Sequence, residues 1–390
     1  LFFFLLTSAV VALAHFYMWR RLVRDTTSPG GGGRRWGTVA LVTAYVVLVL
    51  ALGIGGQVVL LAWPGYLWLA VTFYLTILLG IFEIPRVILL RRRAVKTPAL
   101  VGAPAEEVKP EEPQGPSRRV FISRSFALAG GVAAGGIVGY GATQALGAPE
   151  LTTVPVTLGK LDPSLSGFRI AVVSDIHLGP LRGRSHTERI VRMINEQQPD
   201  LVAIVGDLVD GTVDKLGEAA SPLRDLVSKH GSFFVTGNHE YYSGYESWLT
   251  ELERLGVNPL RNERVAIHRG SAAFDLAGVN DVTGRNFDDA PDFSRTLDGR
   301  DTTRPVVLMA HQPVHVSEAA KHGVDLQLSG HTHGGQMFPF HAIIPVQQPV
   351  VAGLEMIDGT WVYVTRGAGF WGPPVRVGAP PEISMIQLSS

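Results

Sequence analysis

An α/β domain carried behind N-terminal transmembrane helices is the architecture this sequence predicts, and three observations predict it. Long apolar runs dominate residues 1–93. From about Leu151 onward, short β-rich runs alternate with helical patterns. Five of those short runs stop on Asp, Asn or His, several of them beside a Gly.

The membrane part comes first in the chain. Residues 1–18 are almost wholly apolar and end at Trp19-Arg20-Arg21. Thr38–Trp63 is a second such run and Tyr66–Ile84 a third, followed by Arg91-Arg92-Arg93. Each is long enough for a hydrocarbon core of ~30 Å at ~1.5 Å per helical residue. Residues 1–93 are therefore expected to form a domain of three transmembrane helices, with the second connection around Pro64-Gly65. The opening on Leu1 in mid-run, without Met, predicts that the natural start lies upstream. Arg20, Arg21, Arg24, Arg34 and Arg35 in one connection, and Arg91–Arg93 after the third run, place both stretches in the cytoplasm. Residues 94–117, rich in Pro, Glu and Gly, read as a disordered cytoplasmic linker.

Residues 118–148 are open to two readings. One is a fourth transmembrane helix with Gly131, Gly135 and Gly139 as a small-residue packing face. The other is an export signal, because Ser117-Arg118-Arg119-Val120-Phe121-Ile122 resembles a twin-arginine motif. Ala145-Leu146-Gly147-Ala148 matches a cleavage site only approximately, so an uncleaved anchor is preferred. Either reading carries residues 151–390 out of the cytoplasm and makes the chain a multi-pass protein of the cell membrane.

Bulk composition excludes more than it selects. The 34 basic and 34 acidic side chains balance, but unevenly: residues 1–150 hold 14 basic against 7 acidic, and residues 151–390 hold 20 against 27. No basic stripe with interleaved aromatics supports nucleic-acid binding. With no cysteine, disulfides, thiolate ligands and a Cys nucleophile are excluded, and any metal is left to N and O ligands.

In the soluble part, strands are expected over Thr152–Leu158, Phe168–Ser174, Leu201–Val205, Ser232–Val235, Val265–His268, Ala273–Ala277, Pro305–Met309 and Leu326–Leu328. Helices are expected over Thr187–Glu196 and roughly Gly244–Leu255. A hairpin turns at Asp358-Gly359 between Gly353–Ile357 and Thr360–Thr365. If the ends of five of these strands meet on one edge, they gather Asp175, His177, Asp207, Asn238, His311, His331 and His333. That is more than one metal needs and suits two divalent ions sharing a carboxylate. Hard oxygens mixed with imidazoles suit Mn, Fe or Zn.

The ordered blocks Asp175-Ile176-His177, Gly206-Asp207-Leu208-Val209-Asp210, Gly237-Asn238-His239-Glu240, His311 and Gly330-His331-Thr332-His333 resemble the calcineurin-like metallophosphoesterase pattern. The resemblance covers roughly residues 168–336. With membrane segments ahead of it and Gly334-Gly335-Gln336 behind, the chain is similar to the membrane-associated, twin-arginine-exported bacterial branch. The resemblance implies a four-layer αββα fold, a two-sheet sandwich with helices on both outer faces. It implies Asp175, His177 and His333 on a first metal, Asn238, His311 and His331 on a second, and Asp207 between them. His239 would face the scissile phosphate as general acid, Glu240 would orient it, and Asp210 would support the ligands from behind. The implied reaction is hydrolysis of a phosphomonoester, phosphodiester or pyrophosphate, with a lipid or cell-envelope compound as a candidate substrate.

Other candidates carry less. His186, His230, His268, His315, His322 and His341 match no block and read as surface or core residues. Arg182 and Arg184 could grip a phosphate but read better as solvated loop charges. Asn280-Asp281 ends a strand without matching a ligand block. Phe338, Phe340, Phe370 and Trp371 could form an apolar lip or pack the hairpin. A non-catalytic membrane sensor or scaffold would be favoured by a lost ligand, and none is lost. A metalloprotease would want His-Glu-x-x-His on a helix, which is absent.

Overall fold

A computed structural model describes residues 2–55, 58–91 and 117–390 of the chain. They form two compact units, one reaching to Gly139 and the other running from Tyr140 to the end. The expected linker lies outside the described residues, Ser117 apart.

The first unit is built on the helices α1 (Phe2–Met18), α2 (Gly32–Ile54), α3 (Val59–Arg91) and most of α4 (Arg118–Leu146), whose residues from Tyr140 belong to the second unit. Among the described helices, the segments Gly32–Ile54, Val59–Leu90 and Arg118–Leu146 are long and apolar enough to cross a membrane. The break between α2 and α3 falls after Ile54, not at Pro64-Gly65, which lie inside α3. Gly65 serves close helix packing instead: a Cβ there would sit 2.1 Å from the Cβ of Ala51. Pro64, one turn into α3, removes a single N–H without ending the helix. Charges near the helix ends satisfy one another. Arg21 and Arg86 each donate to Asp25 Oδ2 at 2.7 Å. The expected packing face of α4 is not used among the described residues. Nothing lies within 4 Å of where a Cβ on Gly131, Gly135 or Gly139 would be, whereas Gly130 meets Leu75 and Leu79.

The second unit is a sandwich of two six-stranded sheets. Its strands are β1 (Glu150–Thr157), β2 (Arg169–Val173), β3 (Leu201–Val205), β4 (Ser232–Val235), β5 (Val257–Pro259) and β6 (Glu263–Arg269). They continue with β7 (Ala272–Gly278), β8 (Val306–Met309), β9 (Leu326–Ser329), β10 (Gly353–Ile357), β11 (Thr360–Val364) and β12 (Glu382–Ser389). The first sheet runs β1-β12-β2-β3-β4-β5 and the second β10-β11-β9-β8-β7-β6. Strands β2 to β5 are mutually parallel, as are β7, β8, β9 and β11.

Parallel strands covered on both faces read as near-continuous apolar runs, as β3 and β8 do throughout and β2 does after Arg169. Ile170 and Val172 of β2, with Leu201, Ala203 and Val205 of β3, face the inter-sheet core with Phe274, Leu276, Val307 and Leu328. The alternate residues Ala171, Val173, Val202 and Ile204 face outward onto helices. There they meet α5 (Arg184–Glu196), α6 (Val213–Ala220) and α8 (Tyr245–Arg254), the last preceded by the short α7 (Asn238–Ser243). The far face of the second sheet is covered by α9 (Phe293–Leu297) and α10 (Val316–Lys321) through Phe293, Leu297 and Ala319. The four-layer αββα order follows. Phe168 and Phe274 lock the two sheets edge to face with ring centroids 5.1 Å apart, a geometry contributing ~0.5–1.5 kcal/mol beyond burial.

Candidate metal centre

Every candidate ligand stands just past the carboxyl end of a buried strand: Asp175 and His177 after β2, Asp207 after β3, Asn238 after β4, His311 after β8, and His331 and His333 after β9. To turn side chains back across the sheet edge, the backbone leaves the extended region abruptly. Asp175, His177, Asp207, His331 and His333 all have positive φ, between 48° and 70°. Asp and His tolerate that region better than most residues, yet each such position still costs about 1–3 kcal/mol. Hydrogen bonds between loops hold it in place. Asp175 N–H donates to Gly206 O at 3.1 Å, His177 N–H to Asp207 O at 3.1 Å, and Leu178 N–H to Leu208 O at 2.8 Å.

Two glycines make the approach of the loops possible. Gly206 has φ 82°, and a Cβ there would lie 2.6 Å from Gly237 N. A Cβ on Gly237 would lie 2.2 Å from Asp207 Oδ1.

The side chains converge in two groups. In one, His333 Nε2 is 3.1 Å from His177 Nε2 and 3.3 Å from Asp175 Oδ1. In the other, His311 Nε2 is 3.1 Å from Asp207 Oδ2, and His331 Nδ1 is 3.3 Å from His311 Nε2. Asp207 stands between the groups, its Oδ2 also 3.8 Å from His177 Nε2. Nitrogens and carboxylate oxygens within each group all lie within 4.8 Å of one another. Asn238 belongs with the second group by position, and its Oδ1 is buried without a hydrogen-bond partner. A buried amide oxygen without a hydrogen-bond partner, one residue before the His239 N–H that donates to Asp207 Oδ1 at 2.9 Å, is a group that a divalent cation would satisfy. The residues present fit a pair of metal ions.

Behind the ligands lies a supporting layer. Asp210 Oδ1 is 2.9 Å from His177 Nδ1. His311 Nδ1 is 2.8 Å from Val205 O, which leaves Nε2 free to ligate. Glu240 accepts three backbone N–H bonds, from Gly237 at 2.7 Å, Leu208 at 2.8 Å and Asp207 at 3.0 Å. It ties the β4 loop to the β3 loop. Burial opposes charge on Asp207, but His311 and the other imidazoles hold its carboxyl well below the usual range. His239 runs the other way. Burial would lower its pKa, yet Asp207 and the hydrogen bond to Asp210 raise it to about 9.

Several side chains stand where the sequence alone did not place them. Arg182 is not a solvated loop charge: it is buried, donates to Phe370 O, and stacks over the Phe370 ring. Arg184, by contrast, is solvent-facing as expected, and pairs with Glu188 at 2.7 Å and with Glu218. Phe370 is buried, whereas Phe338, Phe340 and Trp371 are exposed. Asp281, past β7, is fully buried, with Oδ1 accepting from Gln312 Nε2 at 3.1 Å. Arg376 went unread. It is fully buried, donates to Gly369 O at 2.7 Å and Arg366 O at 2.8 Å, and lies 3.2 Å from His333 Nδ1. A lone Arg in the Pro- and Gly-rich run before β12 was the available signal.

Residues 168–335 match the family described as calcineurin-like phosphoesterase. A transmembrane protein with metallophosphoesterase domain from Danio rerio is 40% identical over 259 residues, covering 64% of this chain and 59% of that relative. The chain thus spans less than two thirds of that relative's length. An uncharacterized metallophosphoesterase from Helicobacter pylori is 39% identical over 276 residues, covering 70% of this chain and 73% of its own. Among solved structures, a dimetal phosphatase from Danio rerio aligns with 58% of this chain and 94% of its own at 14% identity, with a TM-score of 0.35.

Proposed function

Since the chain belongs to the calcineurin-like phosphoesterase family of metal-dependent phosphoester hydrolases, we propose that the cluster described above is its two-metal hydrolytic site. Asp175, His177 and His333 would hold one divalent ion, Asn238, His311 and His331 would hold the other, and Asp207 would serve both. The observation that carries this reading is the convergence of two sets of donors, Asp175, His177 and His333 in one and Asp207, His311 and His331 in the other, with ligand atoms within 4.8 Å of one another in each. When bound, the two cations offset the phosphoester's negative charge and supply an activated water as nucleophile. Mn, Fe and Zn all suit the donor set.

The chain's own residues do the rest. Asp210 holds His177 through Nδ1, so its Nε2 stays turned to the first site. Asp210 also holds His239 through Nδ1 at 2.6 Å, which leaves His239 Nε2 as the proton-bearing atom presented to a leaving oxygen. Glu240 keeps the Asp207 and Asn238 loops in register.

Membrane association is supported by the apolar helices and by a transmembrane relative. On the topology proposed from the arginine distribution, α4 carries the catalytic unit to the extracytoplasmic side as an uncleaved anchor, and α1, α2 and α3 precede it in the bilayer. A lipid-linked or cell-envelope phosphoester is the substrate class that fits this placement. The test is phosphate release by the metal-loaded full chain from phospholipid, nucleotide and aryl phosphoesters. Hydrolysis that requires divalent metal and disappears in Asp207→Asn is expected. Turnover that survives exhaustive chelation overturns the reading.

A further inference from the structure

Between Asp325 and Glu355 the chain carries no Asp, Glu, Lys or Arg, although much of this stretch lies at the surface. Its tip exposes large apolar side chains: Phe338 is 56%, Ile343 59% and Val346 82% exposed. Connections at a water-facing surface are ordinarily polar, and a contiguous set of exposed aromatic and branched residues marks an interaction surface. The projection is built at both ends. Phe338 N–H donates to Val377 O at 2.9 Å, and the Phe338 ring stacks on His341 with centroids 5.0 Å apart. At the far end, Gln348 is buried, donating to Gln312 Oε1 at 3.0 Å and accepting from Val314 N–H at 2.9 Å.

The surface is continuous with the metal centre. Gln336, three residues past His333, accepts from Trp371 N–H and donates to Trp371 O, both at 2.9 Å. The exposed Trp371 ring lies 6.0 Å from the ring of His239.

We propose that this loop docks on the surface of a lipid bilayer and holds the rim of the metal centre at the interface. Two observations favour the bilayer over a protein partner. Only three residues separate Leu146 at the end of α4 from Glu150 at the start of β1. Fully extended they reach roughly 10–14 Å, so a helix apolar enough to span a membrane leads almost directly into this unit. The loop also lacks Asp, Glu, Lys and Arg, whereas the rim of a protein-recognition surface is polar. Aromatic and aliphatic side chains without charge suit the headgroup boundary. The inference holds for either leaflet and does not depend on catalysis.

The cysteine-free chain makes the test direct. A single Val346→Cys, carrying an environment-sensitive fluorophore, is placed in the full chain in nanodiscs of phosphatidylcholine and phosphatidylglycerol with nitroxide-labelled lipid. The reference is Val227→Cys, which is 67% exposed and lies before β4 on the edge of the sheet opposite the site. Nitroxide quenching at position 346 several-fold above that at 227 is expected, and adding Ile343→Glu should reduce it toward the reference. Equal quenching at the two positions overturns the proposal. So does a blue-shifted but unquenched probe at 346, which would mean that protein covers the loop.

Discussion

His239 Nδ1 lies 2.6 Å from Asp210 Oδ1. The same carboxylate oxygen is 2.9 Å from His177 Nδ1, so one side chain orients both a proposed ligand and the proposed proton donor. This arrangement separates two effects that mutation can resolve. His239→Ala should keep both metals by elemental analysis yet lose ~10²–10⁴-fold in turnover. The loss should shrink for a nitrophenyl ester, whose leaving group needs no proton. An empty metal site in that variant would make His239 a ligand instead.

The pH profile follows from the same pair. The pKa of His239 is raised from 6.5 to about 9, against burial and chiefly by Asp207 and Asp210. A raised imidazole is protonated below that value, so acid catalysis is present at neutral pH and fails as pH rises through it. Cations bound at Asp207 would withdraw part of that negative charge, which moves the descending limb below 9. Initial rates from pH 5 to 10 should show this limb in the wild-type chain, and His239→Ala should abolish it. A limb unchanged in that variant would assign it to another group.

Glu240 is expected to behave differently from His239. Its carboxylate accepts N–H bonds from Gly237, Leu208 and Asp207. Glu240→Gln replaces one acceptor oxygen with an NH₂ group facing buried donors, and an unsatisfied buried donor costs ~1–3 kcal/mol. The Asp207 and Asn238 loops should drift apart, lowering metal content and melting temperature together while leaving the pH limb of residual activity in place. Full metal content with a shifted limb would instead give Glu240 a direct part in proton transfer.

Trp248 tests the layer behind the site. It is fully buried on α8 against the first sheet, and its Nε1 donates to Gly211 O at 2.8 Å. Trp248→Ala should cost ~3–5 kcal/mol, read as a lower thermal midpoint of the catalytic unit. Trp248→Phe should recover most of it, less the lost hydrogen bond. Equal midpoints for wild type and Trp248→Ala would contradict the packing described.

How much of this could be read beforehand depends on where the determining physics lies. Leu201–Val205 is legible to the residue because a parallel strand buried on both faces reads as an apolar run, and Ser232–Val235 is legible because Phe233, Phe234 and Val235 continue that pattern. The candidate ligands are legible because Asp, Asn and His at strand ends declare their chemistry directly. β12 went unassigned although Glu382–Ser389 alternates in part, since Pro380-Pro381 just before it reads as irregular chain. Its place between β1 and β2 is a long-range pairing that no local pattern encodes. Arg376 and Arg182 look like ordinary loop charges until the chain folds back over them. The Pro64-Gly65 pair misled for the same reason, because Gly65 answers to Ala51 on the neighbouring helix, not to a turn.

The side of the membrane occupied by the catalytic unit is the last prediction. Arg20, Arg21, Arg24, Arg34 and Arg35 follow the first apolar run, and Arg91–Arg93 follow the third. If both stretches are cytoplasmic, the segment after Arg118-Arg119 must carry residues 151–390 outward. A charge at a span centre costs ~2.5–3.5 kcal/mol on insertion scales. The only charged residue of α4 beyond Arg118 and Arg119 is Arg124, near its start, where it donates to Thr26 O at 3.0 Å. The centre of α4 is therefore free of charge and can cross. Ser117 and Ser390 are both exposed and flank this segment on either side. Single Ser117→Cys and Ser390→Cys variants supply the only thiols in the chain. A membrane-impermeant thiol reagent on intact cells should label position 390 and spare position 117. The reverse pattern would put the metal centre in the cytoplasm and turn the substrate search to cytosolic phosphoesters.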